Sequence, residues 1–255
     1  MSNPTQKPTK AFILAAGLGT RLRPYTDHRP KPMVIINSRS LIWRILDQLR
    51  QSEVRDVVVN THYLPEMLDH HMRDYVAQYP EMNVHISYEE IVLETGGGII
   101  KALPYFKGEP FYVIAGDSLW EDGSIAALAH LAQHWNSDKM DVLSLMQPIN
   151  RMTLTHGVGD YDIDKTGLVR RSLYKTGAYM WTNIRINTAH IYDNAPDGRF
   201  SVLGIMDECE ARGRYFALEH DGQWHHISTP EDLERVDGHY KQHEITGKGH
   251  KNGAA

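Results

Sequence analysis

Apolar positions along this chain fall into two kinds of block that alternate. Lys10-Ala11-Phe12-Ile13-Leu14-Ala15 is apolar almost throughout, as a central parallel strand covered on both faces must be. Val34-Ile35-Ile36 is a short extended piece, after which Leu41, Ile42, Ile45, Leu46 and Leu49 recur at helical spacing, with Ser38 or Ser40 placed to cap the helix. Asp56-Val57-Val58-Val59-Asn60 reads as a second buried strand, Leu64 to Val76 as an amphipathic helix ended before Pro80, and Val84 to Tyr88 as a third strand. Phe111 to Ala115 is a fourth strand, Ile125 to Trp135 a helix, and Asp141 to Met146 a fifth strand. This β-α-β-α alternation predicts a parallel sheet with right-handed crossovers and helices on both faces.

From Asn150 the pattern changes. His156 to Gly167 is dense in turn residues and leads to an extended piece at Leu168 to Arg171, which predicts hairpins rather than crossovers. Met206 to Arg212 reads as a helix in which Cys209 is a small core residue. Thr229 before Pro230 marks another helix start, because proline fits the first helical position. The expected organisation is a loose leader at 1–9, one domain over 10–242 with an antiparallel accessory section at about 148–226, and a flexible tail at 243–255.

Composition narrows the class. The 255 residues are 41% hydrophobic and 23% charged, enough for a sizeable α/β core. A formal charge of −5 argues against non-specific nucleic-acid binding. Cys209 is the sole cysteine, so an intrachain disulfide is impossible and a cytoplasmic setting is expected. No apolar run approaches the length of a membrane span, so no membrane partner is expected, and nothing in the pattern fixes an oligomeric state.

Against that acidic background one stretch is basic. Ile13 to Met33 passes from a buried strand into Gly17 and Gly19, then sets Arg21, Arg23, Arg29 and Lys31 in a loop stiffened by Pro24, Pro30 and Pro32. Glycines at a strand end let backbone N–H groups approach an anion, and the cations complete a polyphosphate site. Leu22 stands where a dinucleotide-binding fingerprint needs glycine, and no G-K-[ST] follows as in a Walker loop. Gly96-Gly97-Gly98 opens a second glycine-rich segment at the start of a short helix, where N–H groups and the helix dipole would face a ligand. Asp117 follows Gly116 at the carboxyl end of the fourth strand, the place where open α/β sheets put ligands. A carboxylate there beside phosphates calls for an intervening cation, Mg²⁺, although a turn aspartate would also fit. Fifteen histidines invite a zinc reading, yet none stands in a cysteine cluster or an H-E-x-x-H frame.

Gly17-Leu18-Gly19-Thr20-Arg21-Leu22-Arg23-Pro24 followed by Pro30-Lys31-Pro32 resembles the signature of the sugar-phosphate nucleotidyltransferases. The segment Glu94-Thr95-Gly96-Gly97-Gly98-Ile99-Ile100-Lys101-Ala102-Leu103-Pro104 is most similar to the bacterial uridylyltransferases that act on N-acetylmuramic acid 1-phosphate. The resemblance, spanning roughly 10 to 240, implies a three-layer Rossmann-like α/β fold with a mostly parallel central sheet and a small antiparallel accessory section. It implies transfer of a nucleoside monophosphate from a nucleoside triphosphate to a sugar 1-phosphate. On that pattern Arg21, Lys31 and Asp117 are the catalytic set. Leu14, Ala15, Ala16, Gly17, Gly19, Thr20, Arg21, Lys31, Glu89, Thr95, Gly96 and Gly97 hold the nucleotide. Gly116, Asp160, Lys175, Thr176 and Gly177 hold the sugar, with Tyr179 and Trp181 as possible aromatic faces or simple core residues.

One departure stands out. The family writes W-x-D-x-G-T-P where this chain has Trp224-His225-His226-Ile227-Ser228-Thr229-Pro230, so His226 replaces the second metal-binding aspartate. Histidine is a poor match for hard Mg²⁺. The favoured substrates are UTP and N-acetylmuramic acid 1-phosphate, with mannose-1-phosphate guanylyl transfer as the alternative. A catalytically silent relative that binds a nucleotide sugar is the alternative of a different class.

Overall fold

The computed structural model describes residues 7–248. Its centre is the parallel run that the apolar blocks predict. β1 (Lys10–Leu14) lies between β4 (Asp56–Thr61) and β6 (Phe111–Ala115), and β5 (Asn83–Tyr88) pairs outside β4. Ile13 sits opposite Val59 on one side and Ile114 on the other, so the three strands end level. Between them run β2 (Ile35–Ile36), β3 (Arg39–Ser40), α1 (Leu41–Gln51), α2 (Pro65–Gln78) and α3 (Glu94–Phe106). Ser40, rather than Ser38, caps α1, its hydroxyl accepting from the Trp43 N–H at 3.3 Å. Pro65 occupies the first turn of α2, one residue after the expected start.

Alternation along each strand divides the core into two layers. Ala11, Ile13, Val57, Val59, Tyr112 and Ile114 join one cluster with α1, α2 and α4 (Ala127–His134). Phe12, Val58, Phe111 and Val113 join the other with α3 and α5 (Leu203–Ala211), where Cys209 is buried. These are the three layers of an α/β fold. A third, smaller cluster of Leu22, Val34, Ile36, Leu119, Ile227 and Leu233 fastens the basic loop to α6 (Pro230–Lys248). That helix extends into the segment expected as a tail; the rest of that segment and most of the expected leader lie outside the described residues.

The accessory section is built onto the central sheet. Its strands do not form a sheet of their own; they continue the central one. β11 (Tyr179–Asn187) is long enough to serve two partners on one edge and one on the other. Its second half pairs antiparallel with β6, and most of its length pairs with β8 (Val142–Pro148). The hairpin β9 (Tyr161–Ile163) and β10 (Val169–Arg171) joins through Tyr179, and β12 (Tyr215–Glu219) adds parallel to β8. Separately, β7 (Ser118–Glu121) pairs antiparallel with β13 (Gln223–His226), a ribbon that the apolar pattern does not announce. Among the described residues no helix is long and apolar enough to cross a membrane.

Candidate active site

Three parallel strands ending level place Leu14, Asn60 and Ala115 along the floor of one cavity of about 270 Å³. The basic loop forms its roof. Gly19 adopts φ 66°, a left-handed conformation that glycine takes without strain, and the chain turns there into a short 3-10 stretch, Thr20–Leu22. The buried Leu22 and a Thr26 hydroxyl donating to the Gly19 carbonyl at 2.8 Å hold that turn. Among the described residues the backbone N–H groups of Ala16, Gly17, Leu18 and Gly19 have no acceptor. A row of unsatisfied amides is a site for an anion. Gly17 has open space where a Cβ would stand, so a ligand can come up to its backbone.

Lys31 is fixed between Pro30 and Pro32 in a second 3-10 turn, Lys31–Met33. Its ammonium donates to Asp117 Oδ2 at 2.5 Å, with the two side chains 13% and 30% exposed. Burial acts to raise the Asp117 pKa, and the charge and hydrogen bond of Lys31 outweigh it, so the carboxyl is held below its ordinary value. Asp117 therefore stays ionised throughout the neutral range. The β7–β13 ribbon pairs His226 with Ser118, directly beside Asp117. Burial pushes the His226 pKa down; Asp117 opposes this, while Lys31 and Arg21 reinforce it. The ring is a neutral imidazole at neutral pH, stacked on Trp224 at 5.7 Å.

The far end of the floor carries a buried polar network. Asn60 Oδ1 accepts from the Ala15 N–H at 2.6 Å, and Asn60 Nδ2 donates to Glu89 Oε1 at 2.8 Å. The other Glu89 oxygen accepts from the Leu93 N–H at 2.9 Å. Glu89 is buried, lines the cavity, and keeps lone pairs on both oxygens for a ligand. Asn60 was legible only as a polar residue ending an apolar strand, the position where parallel sheets meet ligands.

Of the expected nucleotide residues, Leu14, Ala15, Ala16, Gly17, Lys31, Glu89 and Thr95 line the cavity, while the Ala15 amide is taken by Asn60. Thr20 and Arg21 stand exposed on the adjoining turn. Gly96 and Gly97 are placed otherwise. The Gly96 N–H donates to the Phe200 carbonyl at 2.9 Å, and a Cβ on Gly96 would stand 2.2 Å from the Phe200 ring. A Cβ on Gly97 would stand 2.1 Å from the Gly198 carbonyl, and one on Gly98 would stand 2.8 Å from both Asn60 and Glu89. These glycines let α3 pack against its neighbours. They do not present a row of amides to the cavity.

The sugar-side expectation also shifts. Gly116 lines the cavity, but Asp160, Lys175, Thr176 and Gly177 do not. The Lys175 ammonium pairs with Asp160, whose second oxygen accepts from the Trp181 N–H at 3.0 Å. Gly177 approaches the Tyr161 backbone too closely for any Cβ. The wall on this side is instead Asn183, at φ 58° where the β8–β11 register shifts between Trp181 and Ile184.

As a metal site, the arrangement offers one ionised carboxylate, a neutral imidazole beside it, and, among the described residues, no convergence of three His, Cys, Asp or Glu side chains. That fits a hard divalent ion held by one carboxylate, phosphate oxygens and water, and does not fit a cage made by the protein alone.

The family model for nucleotidyl transferases matches residues 10–243. The chain belongs to the nucleotidyl transferase family. An N-acetylmuramate alpha-1-phosphate uridylyltransferase of Caulobacter vibrioides is 34% identical over 229 residues, covering 89% of this chain and 95% of that protein. A Neisseria meningitidis protein of the same name is 28% identical over 224 residues, covering 86% and 93%. In fold, the inositol-1-phosphate CTP transferase of T. maritima superposes with a TM-score of 0.74 at 17% identity, over 98% of this chain and 99% of that one. As a sugar-1-phosphate nucleotidyltransferase, the chain takes a nucleoside triphosphate and a sugar phosphate, two anions that repel each other. A cavity lined by free amides and a lysine is suited to them.

Proposed function

We propose that this transferase forms UDP-N-acetylmuramic acid and pyrophosphate from UTP and N-acetylmuramic acid 1-phosphate, a step of cell-wall recycling. The observation that carries the site assignment is the Lys31–Asp117 pair lining a cavity together with Ala16 and Gly17, whose amides are free. A phosphate oxygen of the sugar 1-phosphate attacks the α-phosphorus in line. The bond from that phosphorus to the bridging oxygen of the β-phosphate breaks, and its electron pair leaves with pyrophosphate. The attacking oxygen is already ionised, so no base is required, and catalysis consists of neutralising and aligning charge.

Each residue then has a task. The Ala16 to Gly19 amides grip the triphosphate, and Arg21 follows the β and γ phosphates as they leave. Lys31 lies between the α-phosphate and the incoming sugar phosphate, where its point charge relieves their repulsion. Asp117 would hold Mg²⁺ together with substrate oxygens and water, supplying additional charge neutralisation when bound, with the neutral His226 beside it. Glu89, braced by Asn60 and the Leu93 amide, faces the base and accepts an N–H from it.

Glu89 also favours one alternative. A carboxylate is acceptor-only, and guanine offers two adjacent N–H donors to it where uracil offers one. Mannose-1-phosphate guanylyl transfer is therefore the second reading. Pyrophosphate release measured for UTP and GTP against N-acetylmuramic acid, N-acetylglucosamine and mannose 1-phosphates separates the two. Highest kcat/KM for UTP with N-acetylmuramic acid 1-phosphate is expected. Preference for GTP with mannose 1-phosphate establishes the alternative, and no release with any pair establishes a nucleotide-sugar-binding protein. Activity that survives exhaustive chelation would remove the metal role given to Asp117.

A further inference from the structure

Arg185 is fully buried in β11, yet forms no ion pair among the described residues. One of its terminal nitrogens donates to the side-chain oxygen of Asn183, and its guanidinium lies 5.4 Å from the Trp181 ring. Its Nε and second terminal nitrogen have no partner. The polar groups around it are neutral. Asn187 donates to the Tyr192 hydroxyl at 2.6 Å, and Ser144 and Tyr215 share a hydrogen bond of 2.9 Å. The equally deep Asp141, by contrast, has Arg214 at 2.8 Å and His190 at 3.2 Å.

A buried cation without a counter-ion is costly. Arg185 shares a side-chain hydrogen bond with Tyr192, and its partner on the other side, Asn183, is a cavity wall. Asn183 is two residues away on the same strand and lines the cavity. With one lone pair of its oxygen taken by Arg185, the Asn183 amide keeps its two N–H donors to offer a ligand. The strand order β11-β6-β1-β4 sets Asn183 across the cavity from Asn60, roughly 14 Å away at three strand spacings. Asn60 and Glu89 mark the base end, so Asn183 marks the sugar end.

From this we infer that Arg185 and Asn183 form a cation-backed donor pair that selects a sugar carrying a carboxylate, the substrate's own charge serving as the missing counter-ion. N-acetylmuramic acid has such a group in its lactate ether, and N-acetylglucosamine is the same sugar without it. The inference rests on the reading under Proposed function and deepens it: the site discriminates among sugars by charge. Asn183 touches the sugar, and Arg185 is a positioning residue that fixes the amide and supplies the field.

The test is the ratio of kcat/KM for N-acetylmuramic acid 1-phosphate to that for N-acetylglucosamine 1-phosphate, both with UTP. It is measured for the wild type, Arg185→Met, Arg185→Lys and Asn183→Gly, the last keeping a residue at ease with positive φ. The ratio is expected to fall roughly tenfold or more in Arg185→Met and Asn183→Gly, through KM of the acidic sugar, with partial recovery in Arg185→Lys. A parallel fall for both sugars would make Arg185 merely structural, and an unchanged ratio would leave the pair without a role in selection; either overturns the inference alone. A wild type that ignores N-acetylmuramic acid 1-phosphate but uses another sugar phosphate overturns the functional reading and this inference together. Should Arg185→Met fail to fold, Arg185→Lys and Asn183→Gly decide the matter by the same ratio.

Discussion

Gly17 and Gly19 in the basic loop and Gly96 to Gly98 in α3 look alike as sequence, and the fold uses them for opposite purposes. Around Gly17 a Cβ would meet nothing, and the neighbouring amides have no acceptor. Around Gly96 and Gly97 a Cβ would overlap Phe200 and Gly198, and the Gly96 amide is already bonded. The first segment leaves space for a ligand; the second removes space between parts of the protein. A glycine cluster therefore signals close approach to something, and only the packing says whether that something is a ligand or the chain itself.

The largest expected effect belongs to the open side of this contrast. Lys31→Ala should lower turnover roughly a thousandfold, since removing a group that stabilises transferred charge costs about that much, while thermal melting stays near the wild type. A purified, folded Lys31→Ala enzyme with near-normal pyrophosphate release would refute the assignment of the cavity.

On the packed side, Gly97→Ala forces a methyl against backbone, where no side chain can swing aside. Such overpacking costs about 2 kcal/mol, which for a chain of this size is a drop in Tm of roughly 4–8 °C. Unchanged melting would show that α3 has room to shift and that the contrast is weaker than the contacts suggest.

Gly17→Ala should do the reverse. Melting within about 1 °C of the wild type is expected together with a rise of roughly tenfold in KM for the nucleotide, read by steady-state kinetics. A stability loss with intact KM would reverse the roles of the two segments.

The smallest effect concerns acid. Because the folded-state pKa of Asp117 is depressed, its pair with Lys31 contributes stability above the unfolded value near 3.8, and that contribution is lost as pH falls through the lower folded value. Asp117→Asn should therefore flatten the last part of the acid-unfolding curve and leave melting at neutral pH less affected than Gly97→Ala does. Acid curves that superimpose would mean that the pair adds no net stability.

Much of the fold was legible because burial on both faces leaves near-continuous apolar runs, as in Ala11 to Leu14 and Val57 to Val59. The central parallel sheet follows from them. The accessory strands were harder to read: β11 takes part in the central sheet although Arg185 and Asn187, both buried, interrupt its apolar pattern. The short ribbon of β7 and β13 has no periodic signal at four residues a strand, yet it brings His226 beside Asp117. On the sugar side, Lys175-Thr176-Gly177 drew notice as a motif, while Asn183 did not, because a lone asparagine inside a strand announces neither a register shift nor a cavity.

By itself the sequence determined the local things: which segments are strands and helices, that the first loop joins glycines to cations at a strand end, and that Asp117 follows the end of another strand. Those depend on residue type and on spacing along the chain. Tertiary structure alone decided which glycines border open space, that Asn60 braces Glu89, and that Asn183 stands on Arg185 at the cavity wall. Each of these is a meeting of residues distant in sequence or turned by a strand irregularity, and its outcome depends on where neighbouring atoms leave room.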